Sequence, residues 1–263
     1  MASHGAAIHP TALVDPKAEL HASVQVGPYA VIGPHVRIGA GTTIGAHGVI
    51  DGHTTIGTDN RIFPFTSIGA PPQDKKYADE PTRLEIGAGN TIREFVTIHR
   101  GTEGGGLVTS LGDGNLLLAY VHVAHDCALG SHNILSNGAT LAGHVVVGDW
   151  VVLGGLSAVH QFCRVGSHAI VGGGSIVTQD VAPYSMTVAP REARLFGVNK
   201  VGLQRRGFSG DVINALHRTF RLLGSKTLNT SQALEKIRAE VPQTAEVAEV
   251  IGFIERSTRG VIK

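Results

Sequence analysis

From Ile8 onward an aliphatic residue stands at every sixth position: Ile8, Val14, Leu20, Val26, Ile32, Ile38, Ile44, Ile50, Ile56, Ile62 and Ile68. The spacing resumes at Ile86, Ile92 and Ile98. It then runs without a miss through Leu111, Leu117, Val123, Leu129, Leu135, Leu141, Val147, Leu153, Val159, Val165, Val171 and Val177. An α-helix repeats every 3.6 residues and a half-buried strand every two, so neither gives this period. A six-residue repeat marks a parallel β-helix, in which each hexad supplies one short flat strand and one corner. Wound three hexads to a coil, the segments 8–73, 86–103 and 111–182 make between eight and nine triangular coils. At the usual strand spacing that is a prism roughly 40 Å long. The aliphatic that opens each hexad and the residue four places later are expected to point inward, and each coil leans only on its neighbours.

Composition supports this mainly β reading. Thirty-five glycines and 5% aromatic residues suit tight corners and closely stacked coils better than a conventional packed globule. The net charge is +1, but residues 1–190 hold 9 basic against 14 acidic side chains, leaving 13 against 7 for residues 191–263. A basic tail beside a repeat body suits an anionic ligand or an acidic partner protein, or simply a solvated helical face. No apolar run is long enough for a membrane span, and the start lacks the basic and apolar regions of a signal peptide, so a cytoplasmic protein is expected. Cys127 and Cys163 occupy the fourth-place inward slot two coils apart. That puts their Cα atoms nearly 10 Å apart, beyond disulfide reach, so both read as packing residues.

Two excursions break the rhythm, at Asp74 to Glu85 and at the glycine-rich Gly104 to Ser110. The first is polar and charged enough to suggest function; the second has no evident role. After Pro183 the period changes. Ser209 is a candidate cap for a helix with the stripe Ile213, Leu216, Phe220 and Leu223, and Leu234, Ile237 and Val241 suggest a second helix. Val247, Val250, Ile251 and Ile254 suggest a third, with a shorter one over 198–206. The division is therefore a β-helix over 1–190 and a helical part over 191–263.

The winding also gathers chemistry. Of fourteen histidines, His122, His125, His144 and His160 share one stretch of hexads, whereas His35, His47 and His53 read as ordinary corner residues. An 18-residue coil aligns His125 with Gly143 and Gln161, and Asp126 with His144. A neutral histidine beside a carboxylate is a candidate general base. An adjacent glycine lets a substrate reach a backbone N–H, as an oxyanion donor requires. No serine or cysteine stands at a credible nucleophile position, which favours direct transfer. Two rivals stay open: a zinc-type site like the three-histidine centre of carbonic-anhydrase-like hexapeptide proteins, and a non-catalytic binding solenoid.

Longer stretches carry a family resemblance. Ile68 to Tyr77 (IGAPPQDKKY), Thr91 to Thr102 (TIREFVTIHRGT), His122 to Cys127 (HVAHDC), Leu141 to Val145 (LAGHV), Ala158 to Cys163 (AVHQFC) and Arg205 to Ser209 (RRGFS) resemble the acyl-carrier-protein–UDP-N-acetylglucosamine O-acyltransferases of lipid A biosynthesis. The likeness runs from about Ile8 to Gly260. It implies a left-handed parallel β-helix with an α-helical C-terminal part, assembled as a homotrimer with sites between subunits. The implied reaction moves an (R)-3-hydroxyacyl group from acyl carrier protein to the 3-hydroxyl of UDP-N-acetylglucosamine. No cofactor, metal, nucleic acid or membrane segment is implied.

By the same resemblance His125 is the base, Asp126 orients it and the Gly143 N–H holds the oxyanion. His122, His144, His160 and Gln161 would position sugar and acyl group, and Gln73 and Asp74 would reach substrate from a neighbouring subunit. Asn199, Arg205 and Arg206 would hold the nucleotide. Gly173 stands where glycine leaves room for a long acyl chain. The sequence departs from the family's pattern at Val201, where a glutamate is usual, and 190–193 runs one residue long. The later N-acyltransferase of the pathway carries an extra N-terminal domain, for which a repeat starting at residue 8 leaves no room.

Overall fold

The computed structural model describes residues 6–188 and 194–262, so the extra residue at 190–193 lies outside the described residues. The hexads form three parallel sheets, with nine, nine and eight hexad strands. The first sheet starts with Ala7–Ile8, the second with Leu13–Val14 and the third with Glu19–Leu20. Each strand pairs with the one a full coil later, as in Ala7↔Gln25 and Val31↔Val49. Three corners join the sheets: the first leads from sheet one to two, the second from two to three, and the third back to one.

Most strands are two residues long, and the hexad aliphatic closes each of them rather than opening it, as in Val31–Ile32. That detail moves both excursions. The first leaves the coil after Ala70 and returns at the four-residue strand Arg83–Ile86; the second leaves after His99 and ends where Val108–Leu111 begins. Arg83 to Glu85 and Val108 to Ser110 are therefore strand, because Leu84 and Thr109 are fully buried two places before the hexad aliphatic. The pairings His53↔Arg83 and Arg83↔Val108 span 30 and 25 residues, against 18 for a regular coil.

The core is the stacked aliphatics plus the fourth-place residues, including the free and buried Cys127 and Cys163. Burial raises the Cys127 thiol to about 12, which leaves it unreactive. At the third corner the fourth-place slot is filled by asparagines instead. Asn60, Asn90, Asn115 and Asn133 form a ladder in which each side-chain oxygen accepts the next coil's backbone N–H at 2.7–2.9 Å. Buried amides are tolerated there because the ladder satisfies every oxygen and the Nδ2 of Asn60, Asn90 and Asn115, leaving that of Asn133 unpartnered.

The corners turn through left-handed residues. Tyr29, His47, Phe65, Phe95, Tyr120 and Leu156 do so at the first, and Asp126, His144 and Phe162 at the second. Asp59, His132, Trp150, His168 and Tyr184 do so at the third. Because the same slot repeats each coil, its side chains stack. Tyr29, His47, Phe65, Phe95 and Tyr120 form one ladder with ring spacings of 4.9–5.2 Å.

Two further strands follow the last hexad. Ser185–Val188 extends the first sheet, and Arg194–Val198 pairs antiparallel to it. Neither was legible from the hexads. Then come α1 (Lys200–Arg205), α2 (Gly210–Leu223), α3 (Thr230–Glu240) and α4 (Ala245–Glu255). Ser209 caps α2 as expected, by accepting the Val212 N–H. The helices share a second core that meets the prism through Ala182, Tyr184 and Val198. Asp180 pins the join, binding Arg164 at 2.8 Å and accepting the Ser257 hydroxyl at 2.8 Å.

Candidate active site

The strand His122–Val123 runs into the second corner, where Asp126 takes φ 59° and donates its N–H to Thr109 Oγ1 at 2.8 Å. That turn aims the carboxylate at its neighbour, with His125 Nδ1 2.7 Å from Asp126 Oδ2. The aspartate side chain is fully enclosed, while the histidine keeps 14% exposure. Nδ1–H donating to the carboxylate leaves the Nε2 lone pair for substrate, as a general base requires.

One coil on, Gly143 lies against that ring. A Cβ there would stand 2.6 Å from His125 Cε1 and 2.8 Å from Nε2, so only glycine admits the imidazole. The N–H groups of Ala142 and His144 bond to the Val159 and His125 carbonyls. That of Gly143 meets no acceptor among the described residues. It is a free donor beside the base, and the 18-residue alignment of His125, Gly143 and Gln161 holds.

His144, at φ 63°, meets the His125 ring edge to face at 5.1 Å and stacks on Phe162 at 4.4 Å. Its Nδ1 is 3.8 Å from Asp126 Oδ2, too far for a hydrogen bond. Burial pulls the His144 pKa down, against the opposing pull of Asp126 and Asp74. His122 is also lowered, by burial and then by His125, and shares a 2.7 Å hydrogen bond with Thr97 Oγ1. His99 completes the group. Burial first, then His122 and His125, push it down to about 4, and its Nδ1 has no partner. His160 and Gln161 sit exposed one coil further, with His160 Nδ1 3.1 Å from the Gln161 carbonyl.

A cleft of about 380 Å³ opens beside this corner, lined by Asp74, Lys76 and Tyr77 of the first excursion, Thr102 and Glu103 of the second, and His144 and Phe162. Asp74 thus already faces the cleft of its own chain; Gln73 is exposed and lines none of it. Sequence reasoning missed Phe162, although it stands one coil after His144. It also missed His99 and Thr102, because the excursions shift the 18-residue register there.

A metal would find His125, Asp126 and His144 with one donor atom each, all within 4.8 Å of one another. The set does not suit one. Asp126 Oδ2 already accepts from His125 and from Thr102 Oγ1 at 2.6 Å, and Oδ1 accepts the Thr102 N–H at 2.8 Å. A cation would have to break the bond that orients the base.

The nucleotide candidates lie elsewhere. Asn199 is buried, caps α1 by accepting the Gly202 N–H, and donates its amide to the His168 carbonyl at 2.8 Å. That side chain ties the start of α1 to the third corner. Arg205 is exposed, and Arg206 lies over the Trp150 ring at 5.3 Å with Nη1 buried and unpartnered. Gly173 is exposed at the first corner, where a Cβ would come 3.2 Å from the Gly155 carbonyl oxygen. Within one chain, neither set meets His125.

Residues 180–262 match the family described as Udp N-acetylglucosamine O-acyltransferase, Domain 2, and residues 17–52 match the bacterial transferase hexapeptide. The chain is 56% identical to an acyl-[acyl-carrier-protein]–UDP-N-acetylglucosamine O-acyltransferase of Burkholderia mallei, over 97% of this chain and 99% of that one. It is 47% identical to a counterpart from Xylella fastidiosa over the full length of both. This chain belongs to the UDP-N-acetylglucosamine O-acyltransferase family. The solved structure of LpxA from Acinetobacter baumannii superposes with a TM-score of 0.93 at 43% identity, covering 97% of this chain and 99% of that one. The fold is accordingly the left-handed parallel β-helix with a helical C-terminal part. Among the described residues of this O-acyltransferase, no helix is long and apolar enough to cross a membrane.

Proposed function

We propose that this O-acyltransferase moves an (R)-3-hydroxyacyl group from the phosphopantetheine thioester of acyl carrier protein to the 3-hydroxyl of UDP-N-acetylglucosamine, the step that opens lipid A biosynthesis. The observation that carries the mechanism is the His125–Asp126 pair with the unpaired Gly143 N–H beside it. His125 Nε2 takes the proton of the sugar hydroxyl as its oxygen attacks the thioester carbonyl. Asp126 stabilises the imidazolium so formed, and the Gly143 N–H stabilises the tetrahedral oxyanion. Collapse breaks the carbon–sulfur bond, and the departing thiolate takes the proton back from His125. This chemistry calls for no cofactor, and the lowered pKa values of His99, His122 and His144 keep extra positive charge away from the base at neutral pH.

A homotrimer makes sense of the residues that one chain keeps apart. Leu13, Val31, Val49 and Ile176 are exposed on the outer face of the second sheet, which also carries His122. Facing that sheet inward around a threefold axis hides this apolar strip and brings the first corner of each chain beside the second corner of the next. Gly173 would then flank a neighbour's His125, with room for a long acyl chain. Arg205 and Arg206 end α1, just beyond the last strand of the first sheet. The basic C-terminal part offers a docking face to an acidic carrier protein in the cytoplasm.

The test is transfer from 3-hydroxyacyl carrier protein to UDP-N-acetylglucosamine by wild type and His125→Ala. A loss of about 10³-fold or more is expected in the variant. No transfer by wild type would sink the activity, and an unimpaired variant would sink the mechanism. Preference for a ten-carbon donor over longer ones would overturn the reading of Gly173.

A further inference from the structure

The second excursion, which carried no reading from its sequence, closes over Asp126. Thr102 N–H donates to Oδ1 at 2.8 Å and Thr102 Oγ1 to Oδ2 at 2.6 Å, while Thr109 Oγ1 accepts the Asp126 N–H at 2.8 Å. Gly105 packs flat on the carboxylate: a Cβ there would fall 1.9 Å from Cγ and 2.2–2.3 Å from both oxygens. The loop is itself held. Gly105 N–H and Leu107 N–H both reach the Thr102 carbonyl, Gly101 N–H reaches the Arg83 carbonyl, and Arg83 N–H reaches that of Leu107. Its seven extra residues relative to a regular coil are what carry Thr102 and Gly105 across the corner.

We infer that the segment Gly101–Thr109 is a positioning clamp for the catalytic aspartate, with Thr102 and Gly105 as positioning residues that act on the reaction through Asp126 and His125. Two donors from Thr102 saturate the side of the carboxylate that faces the loop. The carboxylate's remaining hydrogen bond is the one to His125 Nδ1. Gly105 excludes water from the same carboxylate, which strengthens the remaining hydrogen bond in a low-dielectric setting. The histidine is thereby held in the tautomer that presents a bare Nε2. A carboxylate free to rotate would spend part of its time bonded to water or to His144, and the base would turn with it.

The inference rests on the acyl-transfer reading above and is tested on the full-length enzyme in the same assay. Thr102→Val keeps the shape and removes one donor to the carboxylate. It is expected to lower kcat about ten- to a hundredfold, the range of a lost hydrogen bond to a charged group. KM for both substrates should stay within about twofold, since the hydroxyl that is lost is bonded to Asp126 and valine keeps the shape of the cleft wall. Thr102→Ser, which restores the hydroxyl, should recover most of the rate. In an Asp126→Asn background, Thr102→Val should cost little more, because the group it positions is gone.

Neighbouring glycines give a second reading that does not depend on Thr102. A Cβ at Gly105 collides with the carboxylate, whereas a Cβ at Gly104 meets nothing within 4 Å. Gly105→Ala should therefore lose kcat as Thr102→Val does, while Gly104→Ala, at the cleft wall but with a Cβ clear of the carboxylate, should lose clearly less. Equal rates for the two glycine variants would overturn the clamp, as would a Thr102→Val loss that is undiminished when Asp126 is already asparagine. Failure of this kind in an enzyme that still depends on His125 leaves the acyl-transfer reading standing, whereas loss of the His125 dependence would take both down.

Discussion

At two corners of one prism the chain turns through the same left-handed conformation and sets side chains above one another at coil spacing. The second corner stacks Asp126, His144 and Phe162; the third stacks His132, Trp150, His168 and Tyr184. Both are histidine-rich, and at both a histidine is pulled down by burial. What differs is the charged neighbour. Next to His144 stands a carboxylate, enclosed by an excursion and shared with His125. Next to His168 stands the guanidinium of Arg206, delivered by α1 and the residues after it, which lowers the imidazole further to about 4. The repeat supplies equivalent positions, and segments outside the repeat decide which of them becomes a base.

The comparison breaks first at Asp126. Replacing it with asparagine leaves the shape of the corner but lets the amide offer its NH₂ to His125 Nδ1, selecting the wrong tautomer. A loss of about 10³-fold in kcat is expected, in line with carboxylate-to-amide changes at other histidine bases. A rate within tenfold of wild type would mean that the two corners differ less than their geometry says.

Gly143→Ala is the next largest effect. Its Cβ would enter the space of the His125 ring and crowd the free N–H, so kcat should fall about 10²-fold or more while the thermal midpoint changes little. Unchanged kcat would remove Gly143 from the oxyanion role. At the third corner, by contrast, Arg206→Ala is expected to raise KM for UDP-N-acetylglucosamine about tenfold and leave kcat nearly intact, since a phosphate contact serves binding. A kcat effect as large as that of Gly143→Ala would erase the division of labour between the corners.

Much of this was readable in the hexads. Their period gives the coil, and the coil sets Gly143 against His125 and His144 against Asp126, because stacking depends only on counting. The same count reaches Phe162, which was overlooked because a phenylalanine carries no acid–base signal. Counting fails where the excursions add twelve and seven residues, and there the sequence hid the most: His99 beside His122, and Thr102 and Gly105 on the carboxylate. Those contacts come from irregular loops whose course no periodicity encodes. Asn199 shows a different limit. Its residue type suits a ligand contact and a helix cap equally, and only the fold shows that it caps α1.

The smallest expected effect is on stability, and it separates the corners by pH. His168 titrates near 4 in the folded chain, through burial first and Arg206 second, against about 6.5 when unfolded. The unfolded chain therefore binds the proton more tightly between those values, so stability falls as pH drops from about 6.5 toward 4 and rises in the other direction. His168→Phe removes this response. It keeps the stack with Trp150 and Tyr184, discards a buried Nδ1 that has no partner, and places phenylalanine in the left-handed slot that Phe65, Phe95 and Phe162 already adopt. Thermal unfolding at pH 7.5 and pH 5 should show the variant losing about 1 kcal/mol less than wild type on acidification, after allowance for partial solvent contact. The corresponding change at His144, where Asp126 and Asp74 oppose the effect of burial, should flatten the profile less. Parallel losses in wild type and His168→Phe would show that the guanidinium and burial at the third corner leave that histidine free to take a proton, and the electrostatic contrast between the corners would not stand.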